Sequence, residues 1–254
     1  MATEPIAALL GALTAGTCEI IDLTAPLSSR TPIIGLPAPY PNTPGFSLTE
    51  ISRYDDERGH WYWNEIHTGE HVGTHLDAPN HWITGRDGLD VSRIPLRHLL
   101  APAVVLDFAA EAADDPGFLL EIEHVEAWIA AHGPLPEGGW LLYRTGWDER
   151  AHDQDAFLNE GRTPGVSVEC ARYLAASPIA GLGVETVGTD AGAAHSFDLP
   201  FPCHDLLLGA GKYGLTQLAN LAALPATGAL LLVAPLPIVG GSGSPARVLA
   251  LMNH

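Results

Sequence analysis

Apolar and polar positions along the chain fall into two patterns. Short apolar runs bounded by turn residues predict strands over 19–27, 103–108, 140–144, 179–187, 229–234 and 247–252. A further strand is expected over 46–54, and Trp61-Tyr62-Trp63 reads as an extended segment. Helical spacing of Ile122, Val125 and Ile129 predicts a helix over 121–132, stopped by Gly133 and Pro134. A second helix is expected over 167–176, with Ser167 as N-cap and Glu169 in its first turn. Prolines crowd residues 26–44, which predicts a long loop that could lie over a site. No linker, fixed-period repeat or low-complexity block interrupts this order. The mixture of elements indicates an α/β protein, and one domain over 1–254 is the simplest count.

Two apolar stretches could suggest a membrane or an export signal, and neither does. The run from Gly228 to Gly241 is short and broken by Pro235 and Pro237, so it reads as a buried strand. Residues 1–16 lack a basic start and carry Glu4, unlike a signal peptide. A cytoplasmic location is therefore expected.

Charge narrows the partners. The formal net charge is −18, and Lys212 is the only lysine. Such a surface repels nucleic acid and anionic membranes, which leaves small neutral or zwitterionic substrates as the expected partners. The three cysteines, Cys18, Cys170 and Cys203, have no metal-like spacing and argue against a disulfide framework. Cys203 adjoins His204, but neighbours in sequence seldom point at each other, so a thiol nucleophile is not expected. Gly209-Ala-Gly211-Lys-Tyr-Gly214 satisfies GxGxxG, yet no acidic residue follows about twenty positions on, as a dinucleotide site needs. The Gly240–Pro245 stretch lacks a phosphate-loop lysine and reads as a turn near the site.

The densest chemistry lies in His71-Val-Gly-Thr-His75-Leu-Asp77-Ala-Pro79-Asn-His81. Imidazole nitrogen and carboxylate oxygen together suit Zn, Mn or Fe. On a helix, positions 71 and 75 share a face and 77 and 81 leave it. On a flat strand, 71 and 77 would lie about 20 Å apart. One metal site therefore requires the chain to bend, and Gly73 and Pro79 permit it. Glu70 is expected beside the ligands rather than among them. Asp190 and His195 are candidates to join the site, and Asp190 could equally brace a turn. The aromatics Trp61, Tyr62, Trp63 and Trp82 flank the motif. They could pack the core or wall a flat substrate, and Trp63 and Trp82 are taken as substrate-binding candidates.

The string HVGTHLDAPNH resembles the HxGTHxDxPxH signature of the metal-dependent cyclase family, which includes bacterial kynurenine formamidases and isatin hydrolases. The resemblance extends over roughly residues 20–250. It takes in Gly139–Trp147, Gly183–Asp190, the His204–Gly209 and Leu218–Leu221 pair, and Gly240–Arg247. It implies a swivelling β/β/α fold with a mixed sheet, usually oligomeric, so a homo-oligomer is expected. It also implies that His71, His75 and Asp77 bind metal and that His81 is the general acid/base. His204 matches the histidine that holds a second metal in two-zinc formamidases. Those enzymes carry a bridging glutamate twelve residues later, where this chain has Thr216. Threonine cannot bridge two cations, so one divalent ion per chain, Mn or Zn, is expected. His204 and Thr216 then become catalytic candidates, Thr216 as a proton relay.

The chemistry that follows is metal-assisted hydrolysis of a C–N bond in a small amide, cyclic imide or lactam. The alternatives are a cyclase or lyase acting on a small biosynthetic intermediate, and a non-enzyme with a closed structural metal site.

Overall fold

The structure is a computed structural model that describes residues 4–36, 38–54 and 59–253. Residues 1–3, 37 and 254 fall within the expected N-terminal stretch, proline-rich loop and domain limits, and lie outside the described residues.

The main sheet has eight strands: β1 (Cys18–Asp22), β4 (His75–Asp77), β5 (Leu100–Asp107), β7 (Trp140–Arg144), β9 (Gly181–Val184), β10 (Tyr213–Thr216), β11 (Ala229–Pro235) and β12 (Gly243–Asn253). Two smaller pairs stand apart, β2 (Ser47–Ser52) with β3 (Trp63–His67) and β6 (Leu119–Leu120) with β8 (Gly165–Val166). Helices are α1 (Pro5–Ala15), α2 (Leu96–Leu99), α3 (Ala109–Asp114), α4 (Ile122–His132), α5 (Gln154–Leu158) and α6 (Val168–Ala176).

Strand order is β1-β12-β11-β5-β7-β9-β10-β4, and β12 also pairs with β4, which closes the sheet into a barrel. β5, β7, β9 and β10 run parallel, and the remaining pairings are antiparallel, so the sheet is mixed as expected. Both faces of the central strands are apolar. Ala103, Val105, Trp140 and Leu142 point into the barrel cluster with Tyr213, Leu215 and Leu231. Val104, Leu106, Leu141 and Tyr143 point outward against Val125, Trp128, Ala171 and Leu174 of α4 and α6. This two-sided burial explains why these strands read as continuous apolar runs rather than alternating ones. The barrel interior leaves β9 no room for side chains: a Cβ on Gly181 would lie 2.4 Å from the Trp140 ring.

The expected helices and central strands are present, with departures in extent: the strand expected over 179–187 covers Gly181–Val184, and the one expected over 247–252 runs Gly243–Asn253. β1 ends at Asp22 rather than 27, because Pro26 offers no ladder donor and Thr24 makes only an isolated bridge to Leu218. The first strand of the outlying pair is shorter than 46–54. α1, which the apolar N-terminal stretch does not reveal by periodicity, is an exposed helix with Pro5 in its first turn and Gly16 in the left-handed region at its end.

Candidate metal centre

The motif bends as its chemistry requires. Gly73 takes φ +68°, a left-handed conformation that favours glycine. After Thr74, residues His75–Asp77 form β4, locked between β10 and β12 by the pairs His75↔Thr216, His75↔Pro245, Asp77↔Gly214 and Asp77↔Gly243. His75 and Asp77 thus share one strand face, while Leu76 enters the barrel core. Pro79–His81 then form a tight turn that swings His81 back. Thr74 ties the bend down: its hydroxyl donates to the Gln217 carbonyl at 2.6 Å and accepts from Ala25 N–H at 2.9 Å.

Asp77 is the hub. Its side chain is 3% exposed, and Oδ1 lies 2.8 Å from His71 Nδ1 and 3.3 Å from His75 Nε2. His81 stacks on His71 with ring centroids 3.9 Å apart. Ligand-capable atoms of His71, Asp77 and His81 all lie within 4.8 Å of one another. Burial alone would push the Asp77 carboxyl up, but the neighbouring His75 and His71 outweigh it and hold the group well below the ordinary carboxylate range. Burial pushes His81 down to about 4, with the charges of His71, His204 and His75 adding and Asp77 opposing.

The donor set fits a divalent cation. His75 Nδ1 lies 2.7 Å from the Gly73 carbonyl, which can only accept, so that nitrogen carries the proton. The Nε2 lone pair then faces the Asp77 carboxylate. Nitrogen and oxygen donors facing each other in a buried site can hold a divalent cation between them. His71 and Asp77, with His75 or His81, could hold it.

The other candidates divide. Thr216 is fully buried, with Oγ1 2.9 Å from His75 Nδ1 and 3.2 Å from Nε2. His204 sits in a π-helical turn, Cys203–Leu208, with its ring 5.5 Å from His81 and 4.9 Å from Trp82. Asp190 braces that turn and joins the cluster at once. Its Oδ1 accepts from Cys203 N–H at 2.6 Å, and Oδ2 accepts from His204 N–H at 3.2 Å and pairs with His204 Nδ1 at 2.5 Å. Burial would lower the His204 pKa, but hydrogen bonding and the charge of Asp190 raise it overall. Trp82 packs on His204 and on Phe201, a residue at φ +54° that no sequence signal singled out. Trp63 lies instead on the β2–β3 ribbon, 53% exposed, and His195 is also exposed.

All three cysteines are free, and burial, with Asp190 adding, pushes the Cys203 thiol well above its ordinary range. The GxGxxG stretch follows a helical turn and opens a strand, the reverse of a dinucleotide loop. No helix among the described residues is long and apolar enough to cross a membrane.

Residues 21–191 match the Cyclase family ("Putative cyclase"), and the chain belongs to that family. It is 45% identical over 251 residues to the isatin hydrolase of Roseibium aggregatum, covering 96% of this chain and 95% of that protein. It is 26% identical over 231 residues to the kynurenine formamidase of Salinibacter ruber, covering 90% and 95%. A solved isatin hydrolase bound to the product analogue thioisatinate superposes with a TM-score of 0.95 at 43% identity, covering 99% of this chain and all of that one.

Proposed function

We propose that this member of the cyclase family opens the lactam ring of isatin or a closely related flat cyclic amide, using one Mn or Zn ion per chain. The chain is a metal-dependent amidohydrolase. The observation that carries the narrower reading is the convergence of His71, His75 and His81 on buried Asp77, beside a Thr216 that cannot bridge a second cation. The 45% identity to an isatin hydrolase over nearly the whole chain supports the substrate class.

His71, His75 and Asp77 would hold the divalent ion, which would supply Lewis-acid polarisation of the amide carbonyl and lower the pKa of water near neutral pH. The remaining work falls to side chains. His81 is neutral through the physiological range, the form that accepts a proton. It takes the proton from the attacking water and returns it to the ring nitrogen as the C–N bond breaks. His204, held by Asp190, faces the same space and orients the substrate's second carbonyl. The Trp82 ring, 4.9 Å from His204, stacks against the flat substrate. Thr216 steadies the His75 ring.

His81→Ala should keep the metal and lose about 100-fold or more in kcat. An unchanged kcat would remove His81 from the reaction, and loss of the metal would make it a ligand instead. The exposed Leu48, Ile51, Trp61, Trp63 and Ile66 of the β2–β3 region support a homo-oligomer, since an isolated two-stranded ribbon is marginal in water. The acidic surface supports a small-molecule partner rather than nucleic acid or an anionic membrane.

A further inference from the structure

The turn ahead of β12 carries Ser242 against the metal centre. Ser242 Oγ lies 2.9 Å from His71 Nε2 and 2.6 Å from Glu70 Oε2, and the same Oε2 accepts the Ser242 backbone N–H at 3.1 Å. The approach is close enough to require glycine on both sides. A Cβ on Gly241 would lie 2.9 Å from Glu70 Oε1, and one on Gly243 would lie 2.5 Å from His71 Cε1. Backbone bonds clamp the turn in place: Ala78 N–H donates to the Ser242 carbonyl and Val91 N–H to the Gly241 carbonyl, at 2.9 and 3.0 Å.

Counting protons along this arm fixes its direction. Ser242 has one hydroxyl proton and two neighbours. A carboxylate oxygen can only accept, so the proton lies toward Glu70. Ser242 Oγ must then accept from His71, which puts the imidazole proton on Nε2. Nδ1 faces the Asp77 carboxylate at 2.8 Å, where it donates while no cation is present, and it is the ring nitrogen left to bind a cation seated between the two. The two other ligand atoms face the same space. His71 would therefore bind through Nδ1 and His75 through Nε2.

We propose that Glu70 and Ser242 are a positioning pair that locks His71 in its Nε2–H tautomer and so presents Nδ1 to the metal. Neither residue is among the three ligands. The proposal rests on the reading of His71, His75 and Asp77 as metal ligands. It gives the glycine-flanked serine a chemical role: the turn reaches across 171 residues of sequence to set one imidazole. Removing either partner lets the ring rotate or change tautomer, and outer partners of this kind typically set metal affinity by about 10- to 100-fold.

Titration calorimetry with Mn²⁺ alone tests this on the full chain. Ser242→Ala and Glu70→Gln should each weaken Mn²⁺ binding, Ser242→Ala by about 10- to 100-fold, while Ser242→Thr, which keeps the hydroxyl, should bind close to wild type. Nitrogen NMR of the Zn²⁺-loaded wild-type protein should show the His71 proton on Nε2, a readout that a merely structural serine would not set and that needs no variant to fold. Wild-type affinity in Ser242→Ala, or a His71 proton on Nδ1, overturns the positioning pair alone. Wild-type protein that binds neither Mn²⁺ nor Zn²⁺ overturns the metal reading and this proposal with it.

Discussion

Replacing Glu185 by glutamine should remove a pH-dependent loss of stability that the buried carboxyl imposes. Glu185 is 1% exposed at the end of β9. Its Oε2 accepts from Thr145 N–H at 2.7 Å, Thr145 Oγ1 at 3.1 Å and Trp147 N–H at 3.2 Å, while Oε1 has no partner among the described residues. Burial, with the nearby charge of Asp148 adding and the Thr145 and Trp147 donors opposing, pushes the carboxyl from 4.5 up to about 7. The folded value lies above the unfolded one. Its contribution is therefore intact below about pH 4.5 and is lost as pH rises through about 7. At about 1.4 kcal/mol per pH unit, the full gap is about 3 kcal/mol. Glutamine stays neutral at every pH and keeps an oxygen for the Thr145 and Trp147 donors. Urea unfolding of both proteins at about pH 5 and pH 8.5 isolates the effect, because all other titrating groups cancel in the difference. Glu185→Gln should gain about 2–3 kcal/mol relative to wild type between those two pH values. The same stability difference at both would refute the reasoning.

Two further substitutions probe the site's frame. Gly243→Ala should cost about 1–3 kcal/mol and weaken metal binding, because β4 is paired on both sides and cannot yield to a Cβ 2.5 Å from His71 Cε1 and from the Leu76 carbonyl. An unchanged Tm and metal affinity would contradict it. Asp190→Asn keeps an acceptor for the Cys203 N–H but deprives His204 of its carboxylate partner. It should lower kcat by up to about 100-fold with the metal retained, and steady-state kinetics with metal analysis would show otherwise if Asp190 serves only the turn.

Local signals in the sequence mark single elements well and long-range closures poorly. β7 is legible because both its faces are buried, and β11 because its apolar run is unbroken. The need for a bend at Gly73 follows from ligand spacing alone, and the backbone adopts it. Closure of the barrel through β12 and β4 depends on residues 243–245 meeting 75–77, for which no local pattern exists. The same holds for Asp190 with His204 and for Ser242 with His71, whose partners lie 14 and 171 residues away. Motif spacing identifies the groups that can hold a metal, whereas the groups that orient them come from other strands and turns. α1 escapes notice because Ala and Leu fill every face, leaving no polar stripe to mark a period.

The most direct test is to incubate the purified protein with isatin and weigh the product by mass spectrometry, before and after removal of bound metal. The account predicts a ring-opened product heavier by one water, no turnover by the metal-stripped protein, and recovery when Mn²⁺ or Zn²⁺ is restored at one ion per chain. Turnover that survives complete metal removal, or a product that has lost water or only isomerised, would contradict it.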